Sequence, residues 1–216
     1  MIKVGIISST KGSVMNAVLQ LPYMRERIQT VISDRECGAI EVAQKHSIRV
    51  EKFITQDSKI FSDLLCDYFY SNPHDLIISF YTKLFRGRLI EQLNGKFINF
   101  HPSILPGCPG SDGFGDTIKS GSRFIGATVH LIDKGTDTGF PILQFAAPFN
   151  PNLSLVENRH VVFIAQCKML IQTVNWYEDG RIIMDESGPP RLRAGQYRVG
   201  EFAPNLDFAQ AVHFVP

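Results

Sequence analysis

The string Asn99-Phe100-His101-Pro102-Ser103-Ile104-Leu105-Pro106, followed further on by Asp137-Thr138-Gly139, supplies an amide, an imidazole and a carboxylate. These are the groups needed to move an acyl carbon between nitrogens without a metal or a covalent intermediate. The Asn99 amide can donate to a developing oxyanion. His101 can do the same when protonated, and a nearby carboxylate such as Asp137 favours that form. An Asn-x-His-Pro tetrapeptide alone reads as a strand end entering a Pro-bracketed turn, with Asp137 as an ordinary surface acid. The longer string is more specific.

Asn-Phe-His-Pro-Ser-Ile-Leu-Pro closely resembles the signature of the folate-dependent formyltransferases, the family typified by the glycinamide ribonucleotide (GAR) enzymes. The resemblance runs from Met1 to about Asp185. It implies a catalytic set of Asn99, His101 and Asp137, the last within Asp133-Lys134-Gly135-Thr136-Asp137-Thr138-Gly139. It also implies 10-formyltetrahydrofolate as co-substrate, no metal, and a small primary amine as acceptor. GAR, an intermediate of purine biosynthesis, is the first candidate acceptor, and an amino-sugar nucleotide is the alternative. A non-catalytic folate- or anion-binding module is the remaining reading, and such a protein would be free to lose the three groups kept here. The domain expected is 1–187, with 188–216 as an extension of open role.

The elements that must position these groups can be read from the chain. Val4 to Ser8, Ile28 to Ser33, Leu76 to Phe80 and Phe97 to Phe100 are apolar runs of strand length. Between them lie helical patterns: one opening at Gly12-Ser13 and stopped by Pro22, one from Ala39 to Lys45, an amphipathic stretch from Asp57 to Tyr70, and Leu89 to Leu93. Strands alternating with helices imply a parallel sheet with right-handed crossovers, so the expected fold is α/β, Rossmann-like and doubly wound. A more irregular C-terminal portion comes after them. It comprises a Gly- and Pro-rich loop from Gly107 to Gly115, strands at Phe124 to Ile132 and Pro141 to Phe149, a long helix from Ser154 to Trp176, and a short strand from Arg181 to Met184.

In an open α/β sheet, ligands sit beyond the C-terminal strand ends, where the strand order reverses. The segment after the third apolar strand and the loop before Asp137 line the pterin pocket in the resembled family. Tyr81, Lys83 and Leu84, with Ile132, Asp133, Lys134 and Gly135, are therefore the candidate folate-binding residues. The first loop offers Lys11, Gly12 and Ser13 to an anion, such as an acceptor phosphate. A plain helix N-cap by Thr10 or Ser13 would need the same small polar residues. The acceptor side departs from the GAR pattern: Val14 stands where an Asn is expected, and Gln166-Cys167 where the long helix should carry Glu-His. Glu157 or His160 could substitute one or two turns earlier.

Composition bounds the rest. A chain of 216 residues suffices for one sizeable domain, and a net charge of +1 with interspersed signs gives no basic stripe for nucleic acid or membrane. A tRNA-directed formyltransferase is disfavoured for that reason. Cys37, Cys66, Cys108 and Cys167 lack metal spacing and are expected as free thiols in a cytoplasmic protein. His130, mid-strand, is read as structural rather than catalytic. Small-molecule substrates are the expected partners, and a homodimer is left open.

Overall fold

The computed structural model describes residues 1–185 and 188–216. They form two compact units, Met1–Asn99 with Ile132–Lys134, and Phe100–Leu131 with Gly135–Pro216.

The first unit is built on parallel strands β1 (Val4–Ser8), β2 (Ile28–Ser33), β3 (Arg49–Lys52), β4 (Leu76–Phe80) and β5 (Phe97–His101). Their order is β3-β2-β1-β4-β5, and each neighbouring pair runs parallel. This is the Rossmann-like order, which reverses between β1 and β4. Helices alternate with these strands along the chain, as parallel crossovers require, so the doubly wound α/β expectation is met. β1, wholly buried as VGIIS, carries no alternation because both its faces are covered.

The helices are α1 (Ser13–Val18), α2 (Pro22–Arg27), α3 (Gly38–Lys45), α4 (Ser58–Ser71) and α5 (Arg88–Gln92). Asp57 caps α4 by accepting from the amides of Lys59 and Ile60. One apolar cluster joins sheet and helices: Ile7, Ile32 and Ile77 meet Phe61, Leu65 and Phe69 of α4, with Tyr81, Leu89, Leu93 and Phe97.

The second unit contains α6 (Gly113–Lys119), the antiparallel pair β6 (Phe124–Leu131) and β7 (Pro141–Pro148), and the long α7 (Leu155–Glu178). Ser154 and Glu157 close a reciprocal capping box at the start of α7. Every residue from Met169 to Val174 is buried, so this helix is covered on all sides there. The C-terminal residues are ordered onto this unit. β9 (Arg191–Leu192) pairs with β8 (Ile182–Ile183), β10 (Phe202–Ala203) adds to β7, and α8 (Ala209–Val212) packs on α7. Asp207 is fastened to α7: its carboxylate accepts from Gln172, Trp176 Nε1 and Arg181, and its amide donates to Gln172.

Several local expectations are corrected. Pro22 ends the first helical pattern but also starts α2, where proline's missing N–H costs nothing at the first position. The short polar strand β3 was not anticipated, so the Leu76–Phe80 run is the fourth strand rather than the third. The segment read as loop to Gly115 already turns into α6 at Gly113. Two further short strands, β9 (Arg191–Leu192) and β10 (Phe202–Ala203), follow the one at Ile182–Ile183.

Candidate active site

β5 ends on the signature. Asn99 lies opposite Ser79 of β4 and is half-buried, and His101 closes the strand. Two residues apart on one strand, their side chains leave the same face. The chain beyond His101 is pinned in place. The Ser103 hydroxyl reaches the carbonyls of Gly107 at 2.7 Å and Cys108 at 3.1 Å. Thr128 of β6 donates to the Ser103 carbonyl and accepts from the Leu105 amide, while Gln144 of β7 donates to the Leu105 carbonyl.

The His101 ring is 3% exposed, with Nε2 2.8 Å from the Cys108 carbonyl and Nδ1 3.4 Å from Asp137 Oδ2. A carbonyl only accepts, so Nε2 must carry a proton. A carboxylate also only accepts, so the contact at Nδ1 is attractive when that nitrogen is protonated as well. The geometry therefore suits the imidazolium. Gly113 lies flat against this ring: a Cβ built there would collide with Nε2.

Asp137 is held from three sides. The Gly110 amide donates to Oδ2 at 2.8 Å, His101 faces the same oxygen, and His130 Nε2 stands 3.6 Å from Oδ1. Burial alone would raise its carboxyl. The contacts from His130, Gly110 and His101 outweigh burial and hold it below the ordinary carboxylate value. Its backbone is left-handed, φ 53°, in the loop between β6 and β7. The structure thus brings His101 and Asp137 together, and it adds His130, which the sequence reading set aside. The signal was present: His130 sits where β6 turns into the loop carrying Asp137, paired with Pro141 across the hairpin.

In the first unit, two candidate binding segments meet at the strand-order reversal. The Ser9 amide donates to the Phe80 carbonyl, its hydroxyl is 3.1 Å from that of Thr82, and the Thr82 amide donates back to it. Gly12, not Thr10 or Ser13, takes the cap position of α1, with φ 73°. A side chain there would press on the Ala39 backbone. Lys11 and Ser13 are exposed beside it.

The folate candidates separate by what their side chains do. Tyr81 is buried with its hydroxyl on Asp34, and Lys83 donates to Asp34 and to the Gln56 carbonyl, so neither points a free polar group outward. Leu84 is 42% exposed. Ile132 rests on the apolar cluster with its amide on the Phe97 carbonyl, Lys134 pairs with Glu91, and Asp133 is exposed. Gly135 turns tightly against Thr138. A cavity of about 370 Å³ is lined by Phe85, Ile90, Arg86, Gly87, Arg88, Glu91 and Lys134. Its lining mixes the apolar Phe85 and Ile90 with the charged Arg86, Arg88, Glu91 and Lys134, the last two paired with each other.

On α7, Cys167 is fully buried and its thiol is pushed up to about 12 by burial, so it faces the core, while Gln166 is half-buried. Glu157 is occupied by the capping box, and His160 stacks on Phe163. Among the described residues, no cluster of three or more His, Cys, Asp or Glu could hold a metal, and no helix is long and apolar enough to cross a membrane.

Residues 4–174 match the model of the formyl transferase family, and the chain belongs to that family. Within it, the chain is similar to the phosphoribosylglycinamide formyltransferase of Mycobacterium tuberculosis (strain CDC 1551 / Oshkosh). The two are 32% identical over 144 residues, covering 64% of this chain and 66% of the relative, just under two thirds. The Haemophilus influenzae protein of the same name is 24% identical over 193 residues, covering 86% of this chain and 91% of its own. The crystal structure of glycinamide ribonucleotide transformylase 1 from Symbiobacterium toebii superposes with a TM-score of 0.80 at 25% identity, covering 89% of this chain and 94% of that one.

Proposed function

We propose that this protein transfers the formyl group of 10-formyltetrahydrofolate to the primary amine of glycinamide ribonucleotide, a step of purine biosynthesis. The observation that carries the chemistry is the Asp137 carboxylate between the imidazoles of His101 and His130, at the end of the signature strand. The names of the relatives support the acceptor.

The formyl carbon comes from the co-substrate; the chain's own residues manage charge and protons. As the amine attacks, negative charge builds on the formyl oxygen. The Asn99 amide and the His101 Nε2–H, leaving one face of β5, are the donors for it. Each such donor is worth on the order of 3 kcal/mol in the transition state. In this structure the Nε2 proton is shared with the Cys108 carbonyl, so the oxyanion competes with that carbonyl for it. Asp137 faces His101 Nδ1 and is the acceptor, directly or through water, for the proton leaving the amine; the bond from the formyl carbon to the folate nitrogen then breaks as a proton passes to that nitrogen, releasing tetrahydrofolate. The first loop, with Lys11, Gly12 and Ser13, is the proposed seat of the acceptor phosphate. Residues 81–84 and 132–135 are the proposed folate-binding segments.

A second reading keeps the chemistry and changes the amine, because Val14 and Gln166 depart from the GAR pattern and Glu157 is already committed to its helix cap. The deciding experiment is an acceptor screen that measures loss of the formyl group from 10-formyltetrahydrofolate, with GAR beside several amino-sugar nucleotides. Turnover with GAR above all others is the expected result. Turnover with an amino sugar and none with GAR would transfer the assignment.

A further inference from the structure

Asp34, the first residue beyond β2, is 1% exposed and its carboxylate accepts from three side chains. Arg35 donates to it through two nitrogens, each at 2.7 Å, Lys83 donates at 3.0 Å and the Tyr81 hydroxyl at 3.1 Å. Burial by itself raises an acid. Here the hydrogen bonds from Arg35 and Lys83 outweigh burial and keep the carboxyl below its ordinary value. The group is a fixed charge, and two of its three partners belong to the segment just after β4.

The grip continues through the aromatic rings. Tyr81 lies 5.0 Å from Phe61 and 5.0 Å from Phe85, and Phe85 lies 4.8 Å from Phe97. The Phe97 carbonyl holds the Ile132 amide at 2.8 Å. One carboxylate just beyond β2 thereby fixes Tyr81 and Lys83 directly and is linked to Ile132 through a row of packed rings and the Phe97 carbonyl. Phe85 and Lys134 also line the cavity of about 370 Å³. Satisfied buried networks of this kind set one geometry for the segments they join.

Resting on the functional reading above, we propose that Asp34 is a positioning residue for the folate: its contacts with Lys83 and Tyr81 set the spacing of the two folate-binding segments. It touches no reacting atom, so its loss should act on folate affinity and leave the acceptor side alone.

The test measures binding of tetrahydrofolate to the full-length protein by calorimetry, with GAR binding and thermal melting recorded in parallel. Asp34→Asn removes the charge at nearly constant shape, and tetrahydrofolate Kd should rise about tenfold, the worth of one charge-assisted hydrogen bond. Tyr81→Phe keeps the ring in the aromatic row and removes only the hydroxyl, and should give about a threefold rise. GAR binding should stay within about twofold in both. If Asp34→Asn does not fold, Tyr81→Phe decides. A lowered melting temperature with unchanged tetrahydrofolate Kd would make the cluster merely structural and overturn the proposal. Wild-type protein that binds no tetrahydrofolate would overturn the functional reading, and the proposal with it.

Discussion

Replacing Asp137 with Asn is the sharpest perturbation of the proposed chemistry, because shape is nearly conserved and one charge is removed. The asparagine carbonyl can still accept from the Gly110 amide, so the loop between β6 and β7 should hold its path. What disappears is the field on His101. At 3.4 Å and an effective dielectric of about 20, the attraction between carboxylate and imidazolium is roughly 5 kcal/mol before desolvation is subtracted. Without it, most of the His101 contribution to the oxyanion goes, about 3 kcal/mol or 10²–10³-fold in kcat. Tetrahydrofolate binding should change little, since Asp137 acts on charge that develops only in the transition state. The assay is the initial rate of formyl loss, paired with calorimetric binding, across a pH series. Turnover within tenfold of wild type at every pH would refute the reasoning.

Other perturbations probe the same structure. Gly113→Ala should favour α6 by local propensity but drive a methyl into His101, so activity should fall at least tenfold with the melting temperature nearly unchanged; normal activity would place the ring elsewhere. Asp34, Asp137 and Asp207 all lie below the ordinary carboxyl value of 3.8 in the folded protein, so each contributes stability that is fully present above that value and lost as pH falls through the depressed one. Melting temperature should therefore drop steeply below about pH 4, and a flat acid limb would contradict the three networks. Asp207→Ala should release the C-terminal segment from Gln172, Trp176 and Arg181, seen as faster proteolysis confined to residues 188–216; uniform resistance would count against that anchor. Cys167 and Cys66, both buried, should react with an aromatic disulfide reagent only after unfolding, whereas Cys37 and Cys108 should react in the native protein.

The parts of this fold that were legible in the sequence are those where one local signal sufficed. β1, β2 and β4 are unbroken apolar runs, α4 has a capped amphipathic pattern, and the strand–helix alternation fixed the Rossmann-like class. β3 escaped because its residues, Arg-Val-Glu-Lys, form a mostly polar strand at the sheet's end, paired with β2. α6 was hidden by glycines that read as loop, although Gly113 is required by the His101 ring beside it. α2 was hidden by a proline whose meaning depends on whether it sits inside a helix or at its first turn.

At the site, the motif gave the residue types of Asn99, His101 and Asp137, but not the partners that define their state. The Cys108 carbonyl and the Gly110 amide are backbone groups without a sequence signature. Asp34 lies far from Lys83 and Tyr81 in the chain, and only the adjacency of β2, β1 and β4 brings them together. Tyr81 and Lys83 turn their side chains onto Asp34 and the Gln56 carbonyl, partners distant in the chain that no local pattern announces.

The central claim is transfer of a formyl group to an amine rather than its release to water. The direct measurement is to incubate the purified protein with 10-formyltetrahydrofolate carrying an isotopically labelled formyl carbon, with and without GAR, and to follow the label. The account predicts label in N-formyl GAR, formed only when GAR is present and reduced about a hundredfold or more in His101→Ala. Label recovered as formate at the same rate with and without GAR would contradict it.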